Sequence, residues 1–246
     1  MPIDRLIYAA IMLAAIIAGW WILNRSQSGL PLSFGQRAAI ALGAFCGAMI
    51  GAKLPFILFD SESLVSFRPW IADGKTIMAG IVGGYFGVEI AKWAANIQVR
   101  TGDTFAVPVA IAVALGRIGC FWIGCCFGGP TDLPWGVVFP SSGDALPRHP
   151  TQLYETAFHL LAAIVLLVLA HYDLLRGQRL KAYLITYCFY RFASEFLRPE
   201  PQIALGLTAY QLAAICLVPI FIALWIRDAR AIAAEEAIDE VAPAPQ

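Results

Sequence analysis

Long apolar runs separated by short polar ones set the pattern of this chain. Seven runs, near residues 6–23, 38–59, 76–95, 104–123, 152–172, 181–197 and 208–226, each approach the ~20 residues a helix needs to cross a hydrocarbon core of about 30 Å. The pattern predicts an all-α integral membrane protein of about seven transmembrane helices, with a short irregular outer loop between the fourth and fifth. The first run follows Arg5 and ends among Ala14, Ala15, Ala18 and Gly19, a layout shared with signal peptides; Trp20 and Trp21 fit better as interfacial anchors of a retained helix. In the third run Gly80/Gly84 and Gly83/Gly87 form overlapping G-x-x-x-G spacings, which predict close helix packing or a lipid lying against bare backbone. Residues 1–226 read as one transmembrane domain. In 227–246, Arg227 and Arg230 precede Glu235, Glu236, Asp239, Glu240 and a closing VAPAPQ, so a helix fraying into a disordered cytoplasmic tail is expected.

Composition agrees with the pattern. Of 246 residues 59% are hydrophobic and 14% charged, and the mean hydropathy is +0.70, too apolar for a water-soluble domain of this length. The net charge is zero and no basic stripe is interleaved with aromatics, which argues against a nucleic-acid partner. Six cysteines fall largely inside apolar runs rather than in a disulfide framework.

Basic residues orient the spans. The segments after runs one, three, five and seven hold nine: Arg25, Arg37, Lys92, Arg100, Arg176, Arg179, Lys181, Arg227 and Arg230. The other side holds five: Arg5, Arg68, Lys75, Arg148 and Arg198. The positive-inside rule then predicts an outer N-terminus, a cytoplasmic C-terminus and an outward-facing stretch 116–155. Of seventeen basic residues this leaves three within spans, Lys53, Arg117 and Arg191. Lys53, before Pro55 near a helix end, is expected to snorkel.

Arg117 closes a twelve-residue uncharged run, 105–116. An arginine at membrane depth costs about 2.5–3.5 kcal/mol on the mildest insertion scale, so it is expected to face the protein interior or a wet cavity. A second cluster lies in TYCFYRFASEFLRPEP, where Arg191, Glu195 and Arg198 recur at spacings of four and three and predict one helix face that Tyr187 extends. Glu195 reads equally as a salt-bridge partner between helices. Two arginines against one glutamate leave a spare guanidinium which, joined by Arg117, suits bidentate binding of a lipid phosphate.

These stretches together carry a resemblance. GRIG, FGGPTDLPWGVVFP, RHPTQLYE, and the series Tyr187, Arg191, Glu195, Arg198 followed by Gln211 resemble the bacterial prolipoprotein diacylglyceryl transferase family. The resemblance covers the C-terminal two thirds of the chain, and the seven-helix, N-out layout agrees with it. It implies an inner-membrane enzyme that moves a diacylglyceryl group from phosphatidylglycerol to the thiol of a lipoprotein-precursor cysteine, with no cofactor and no metal. By that likeness Arg117 and Arg191 match the two essential arginines that hold phosphatidylglycerol. Gly116, Gly119, Gly124 and Gly128 occupy signature glycine positions, while His149, Gln152, Tyr154 and Glu155 match the R-H-P-[ST]-Q-L-Y-E segment. The implied substrate contacts are those glycines with Tyr154, Glu155, Tyr187, Glu195 and Arg198. Glu155 reads either as such a contact or as a structural partner for an arginine, and His149 as a cap of the fifth span.

Departures from the family pattern concentrate at one place. The signature G-R-x-G-N-F-x-N-x-E has Cys120, Ile123 and Cys125 at its asparagine, asparagine and glutamate positions, and Met78 stands where the family's H-G-G segment has its histidine. A divergent branch is expected. Cys120, Cys125 and Cys126 present three thiols within seven residues, open to a soft metal, a redox pair or an acyl relay; without a C-x-x-C spacing, small buried packing residues are the favoured reading. The implied reaction needs the departing phosphate's charge stabilised and the thiol's proton removed. The rival to a transferase is a phospholipid-binding membrane protein of the same family that has altered its chemistry or its acceptor, and a transporter built on intramembrane charge is weaker.

Overall fold

The computed structural model describes residues 2–59 and 76–241. Arg68 and Lys75, counted above on the outer side, lie outside these residues, as does the closing stretch 242–246. Each apolar run forms a helix: α1 Pro2–Gln27, α2 Phe34–Phe59, α3 Ile77–Ala94, α4 Gly102–Ile123, α5 Thr151–His171, α6 Arg179–Ser194 and α7 Ala209–Val241. Among the described residues five of them, α1, α2, α4, α5 and α7, are long and apolar enough to cross a membrane. The other two fall short for visible reasons: α3 dilutes its run with four glycines, Glu89 and Lys92, and α6 has 16 residues that include Arg179, Lys181 and Arg191. Large apolar side chains such as Leu6, Ile16, Trp20, Leu161, Ile164 and Leu167 point outward. A surface this apolar suits a bilayer as solvent.

The chain divides into two compact units, Met1–Gln27 with Thr101–Gln246, and Ser28–Arg100. In the second unit α2 and α3 meet backbone to backbone. A Cβ on Gly47 would lie 2.9 Å from Gly87 Cα, and one on Gly51 would lie 2.8 Å from Gly83 Cα, so no side chain fits on either helix there. The G-x-x-x-G pattern of α3 therefore serves packing, against a matching series Gly43, Gly47, Gly51 on α2 that the sequence reading overlooks. Lys53 is 3% exposed, so the expected snorkelling is wrong: its side chain does not reach the surface. Met78 is buried in the same unit.

In the first unit α4 packs between α1 and α5, and α6 packs on α7. Asp103, in the first turn of α4, accepts backbone N–H groups of Gly177 at 2.6 Å and Arg179 at 2.9 Å. It thereby satisfies orphan donors at the start of α6 and places a negative charge at that helix's positive end. At the far end α4 stops because Gly124 takes a left-handed conformation (φ 71°) and turns the chain back. The loop that follows holds a two-residue ladder, β1 Val137–Val138 against β2 Pro147–Arg148, and a 3-10 turn at Pro140–Ser142. Phe127, Phe121 and Phe139 pack beneath it, with Phe127 and Phe139 stacked at 5.1 Å. Between α6 and α7 a hairpin pairs β3 Gln202–Ala204 with β4 Leu207–Thr208 through Leu205 and Gly206, both at positive φ as a tight two-residue turn demands.

Candidate functional site

Buried ionic and phenolic side chains from three helices and the turn after the last of them converge in the first unit. Arg117 comes from the penultimate turn of α4, Glu155 and His159 from one face of α5, Tyr183, Tyr187 and Arg191 from α6, and Glu195 and Arg198 from the turn that follows. Seven of the eight are at most 5% exposed, and Arg198, only partly buried as a residue, keeps its side chain 5% exposed. Glu155 is the hub. Its Oε2 pairs with Arg117 Nη2 and, at 3.3 Å, with Arg198 Nη2, while its Oε1 accepts the Tyr187 hydroxyl at 2.7 Å. The imidazole Nε2 of His159 lies 3.8 Å from the same Oε1, and its Nδ1 meets the Tyr183 hydroxyl at 2.9 Å.

A second pair sits beside the first. Arg191 Nη2 lies 2.8 Å from Glu195 Oε2, one helical turn on, and its guanidinium stacks over the Tyr210 ring at 4.2 Å. Glu195 also accepts the Thr208 hydroxyl at 3.0 Å, and Gln211 closes the corner by accepting the Thr208 N–H at 3.0 Å. The expected single face of Arg191, Glu195 and Arg198 needs correction: α6 ends at Ser194, a 3-10 turn takes over at Glu195–Leu197, and Arg198 is extended. That change of pitch swings Arg198 away from Arg191's row and onto Glu155 of the neighbouring helix. Its side chain pairs with Glu155 there, so Arg198 is not a free loop charge.

The charge sum decides what such a cluster can do. Three guanidinium groups face two carboxylates, a surplus of one positive charge in a buried place. Arg117 Nε, Arg191 Nη1 and Arg198 Nε have no hydrogen-bond partner among the described residues. Buried donors without partners are costly, and planar forks of this kind match the oxygens of a phosphate.

The remaining predicted residues are placed elsewhere. Gly119 is packed by Tyr8 and Ile11 of α1 at 3.4 Å from any added Cβ, and Gly116 by Met12 at 3.9 Å, so both set the α1–α4 approach. A Cβ added to Gly128 would lie 2.6 Å from Leu197 O and 2.7 Å from His149 Cβ, so only glycine fits there. Tyr154 bonds Trp135 Nε1 at 2.8 Å and His149 Nδ1 at 3.3 Å in the loop, apart from the arginine cluster. Gln152 donates to Cys125 O at 2.6 Å and Thr151 to Cys126 O at 2.9 Å, fixing the loop to the start of α5. The thiols of Cys120, Cys125 and Cys126 come together, their sulfurs all within 4.8 Å of one another, because Gly124 folds the chain back on α4. His159 carried no sequence motif of its own; its i+4 spacing from Glu155 on an apolar helix was the available signal.

A family model described as prolipoprotein diacylglyceryl transferase matches residues 2–227. The chain belongs to this family. Similar proteins named phosphatidylglycerol–prolipoprotein diacylglyceryl transferase include one from Cupriavidus pinatubonensis, 38% identical over 174 residues, which are 68% of this chain and 62% of that protein. One from Clostridium tetani is 32% identical over 79% of this chain and 81% of its own length. Another from Nitratidesulfovibrio vulgaris is 31% identical over 92% of this chain and 89% of its own. The match to the Cupriavidus protein thus spans somewhat less than two thirds of that relative.

Proposed function

We propose that this protein transfers a diacylglyceryl group from phosphatidylglycerol to the thiol of a lipoprotein-precursor cysteine, as a multi-pass protein of the bacterial inner membrane. All seven helices are taken to cross the bilayer with the N-terminus outside, an orientation that the split of basic residues supports and in which the site lies near the outer face. The observation that carries the reading is the surplus guanidinium charge with partnerless N–H groups on Arg117, Arg191 and Arg198. These groups hold the phosphate and stabilise the negative charge that grows on it as it leaves. The substrate sulfur forms a bond to the glycerol carbon bearing the phosphate, the carbon–oxygen bond breaks, and glycerol phosphate departs with its electron pair. The thiol proton goes to Nε2 of His159, which the described residues leave without a hydrogen-bond partner and which Glu155 flanks. Tyr183 holds the other ring nitrogen and so orients the imidazole. His159 thus takes the role for which Met78 is unsuited.

Expression in a bacterium depleted of its own diacylglyceryl transferase tests the reading. Restored growth with lipid-modified precursors is expected. An inserted, folded protein that binds phosphatidylglycerol yet leaves precursors unmodified would instead favour a binding protein or another acceptor, a reading that the thiols at Cys120 and Cys125 would then support.

A further inference from the structure

We infer that Cys120, Cys125 and Cys126 form a trithiolate site for one soft metal ion of the Cu(I) class at the C-terminal end of α4. The donors are three sulfurs, Cys120 from the last turn of α4 and Cys125 and Cys126 from the loop past Gly124, mutually within 4.8 Å, with Cys125 and Cys126 Sγ 3.6 Å apart. Three thiolates about 2.3 Å from a common ion stand roughly 3.8–4.0 Å from each other, so closing on an ion requires a shift of less than about 1 Å. All three cysteines are free, and no histidine or carboxylate joins the group among the described residues. An all-sulfur, three-donor set selects a thiophilic ion content with low coordination over magnesium, calcium or manganese, which need oxygen ligands.

The surroundings are those of a held site rather than a loose loop. Backbone at both loop cysteines is fixed from α5, by Gln152 at Cys125 O and Thr151 at Cys126 O, and Cys125 N donates to Cys120 O at 3.0 Å. Cys126 stands at φ 61°, an arrangement that brings its side chain back beside Cys125. Cys126 is also exposed, which gives an ion a way in. Arg117, three residues before Cys120 on the same helix, supplies positive charge next to thiolates that together outnumber the charge of Cu(I). Binding releases thiol protons to the buffer and involves no electron transfer. The inference does not depend on the transfer reaction.

The test uses the full chain in detergent under anaerobic, reducing conditions, titrated with Cu(I) against a chromogenic Cu(I) chelator. One Cu(I) per chain is expected, with a new near-ultraviolet thiolate-to-copper absorption and three sulfur neighbours by X-ray absorption. Two variants locate it. A Cys46→Ser, Cys188→Ser, Cys216→Ser protein should keep the ion, and a Cys120→Ser, Cys125→Ser, Cys126→Ser protein of unchanged size-exclusion profile should lose it. The proposal is overturned if the first variant, folded and reduced, retains no copper, or if the second retains as much as the parent.

Discussion

Neutralising Glu155 without changing its size should cripple both stability and chemistry, because this one carboxylate compensates two buried guanidinium groups. In Glu155→Gln the pairs to Arg117 and Arg198 lose their Coulomb attraction, and an amide NH2 turns toward groups that are themselves donors. Breaking a buried ion pair by removing one partner costs about 3–5 kcal/mol. For a chain of this length each kcal/mol moves Tm by about 2–4 °C, so a fall of roughly 6–20 °C is expected in tryptophan-fluorescence melts of the detergent-solubilised protein. Glu195→Gln, which meets one arginine and one threonine, should cost less. Adding Arg198→Ala to Glu155→Gln removes one of the two orphaned charges and should recover part of the loss, a coupling read directly from a double-mutant cycle. A melt lowered by less than about 2 °C, or a double variant that is simply additive, would refute the hub role of Glu155.

Further expectations follow from the same geometry. Arg117→Lys and Arg191→Lys should stay folded and bind phosphatidylglycerol weakly while losing most turnover, since a point charge does not reproduce the fork; full turnover in either would remove that residue from the phosphate site. Gly47→Leu should disrupt the α2–α3 crossing, where backbone fills the space, and lower stability by at least the ~1–3 kcal/mol of an overpacked core; an unchanged melt would contradict the close approach. In the loop, the hydrogen bond from Arg148 at 2.6 Å holds the exposed Asp144 carboxyl below its ordinary range. A depressed folded value means the contribution is present above the unfolded pKa of about 3.9 and disappears as pH falls through the folded one. Hydrogen-exchange protection of residues 140–148 should therefore drop at acid pH in the parent and be low at neutral pH in Asp144→Asn. A reporter fused after Arg230 should be cytoplasmic and one inserted near Ser142 external; the reverse would overturn the orientation.

The helices were readable from the sequence because membrane-length apolar runs bounded by polar residues have few other structures open to them. Arg117 and Arg191 stood out for the same reason, as charges where charge is expensive. What the sequence hid depends on three-dimensional pairing. The 3-10 turn that diverts Arg198 to Glu155 leaves no periodicity mark, and Glu155 in RHPTQLYE, readable as a partner for one arginine, gives no sign that both Arg117 and Arg198 reach it. His159 drew no attention because Tyr183, which holds its Nδ1, comes from another helix, although Glu155 lies one turn back on its own. The glycines were conspicuous in sequence, yet Gly116, Gly119 and Gly128 are filled by neighbouring chain and shape the scaffold. The thiols scatter as C-x4-C-C in sequence and meet only because Gly124 reverses the chain.

The central claim is that the arginine cluster drives a carbon–oxygen cleavage at the phosphate of a phospholipid. The most direct measurement supplies purified protein with phosphatidylglycerol labelled in its head-group glycerol and a lipobox peptide with one cysteine, then follows released label and peptide mass together. The account predicts one labelled glycerol phosphate released for every peptide that gains a diacylglyceryl thioether, and loss of both in His159→Ala. Label that stays in the lipid while phosphatidylglycerol is bound, or peptide modified without release of glycerol phosphate, would contradict it.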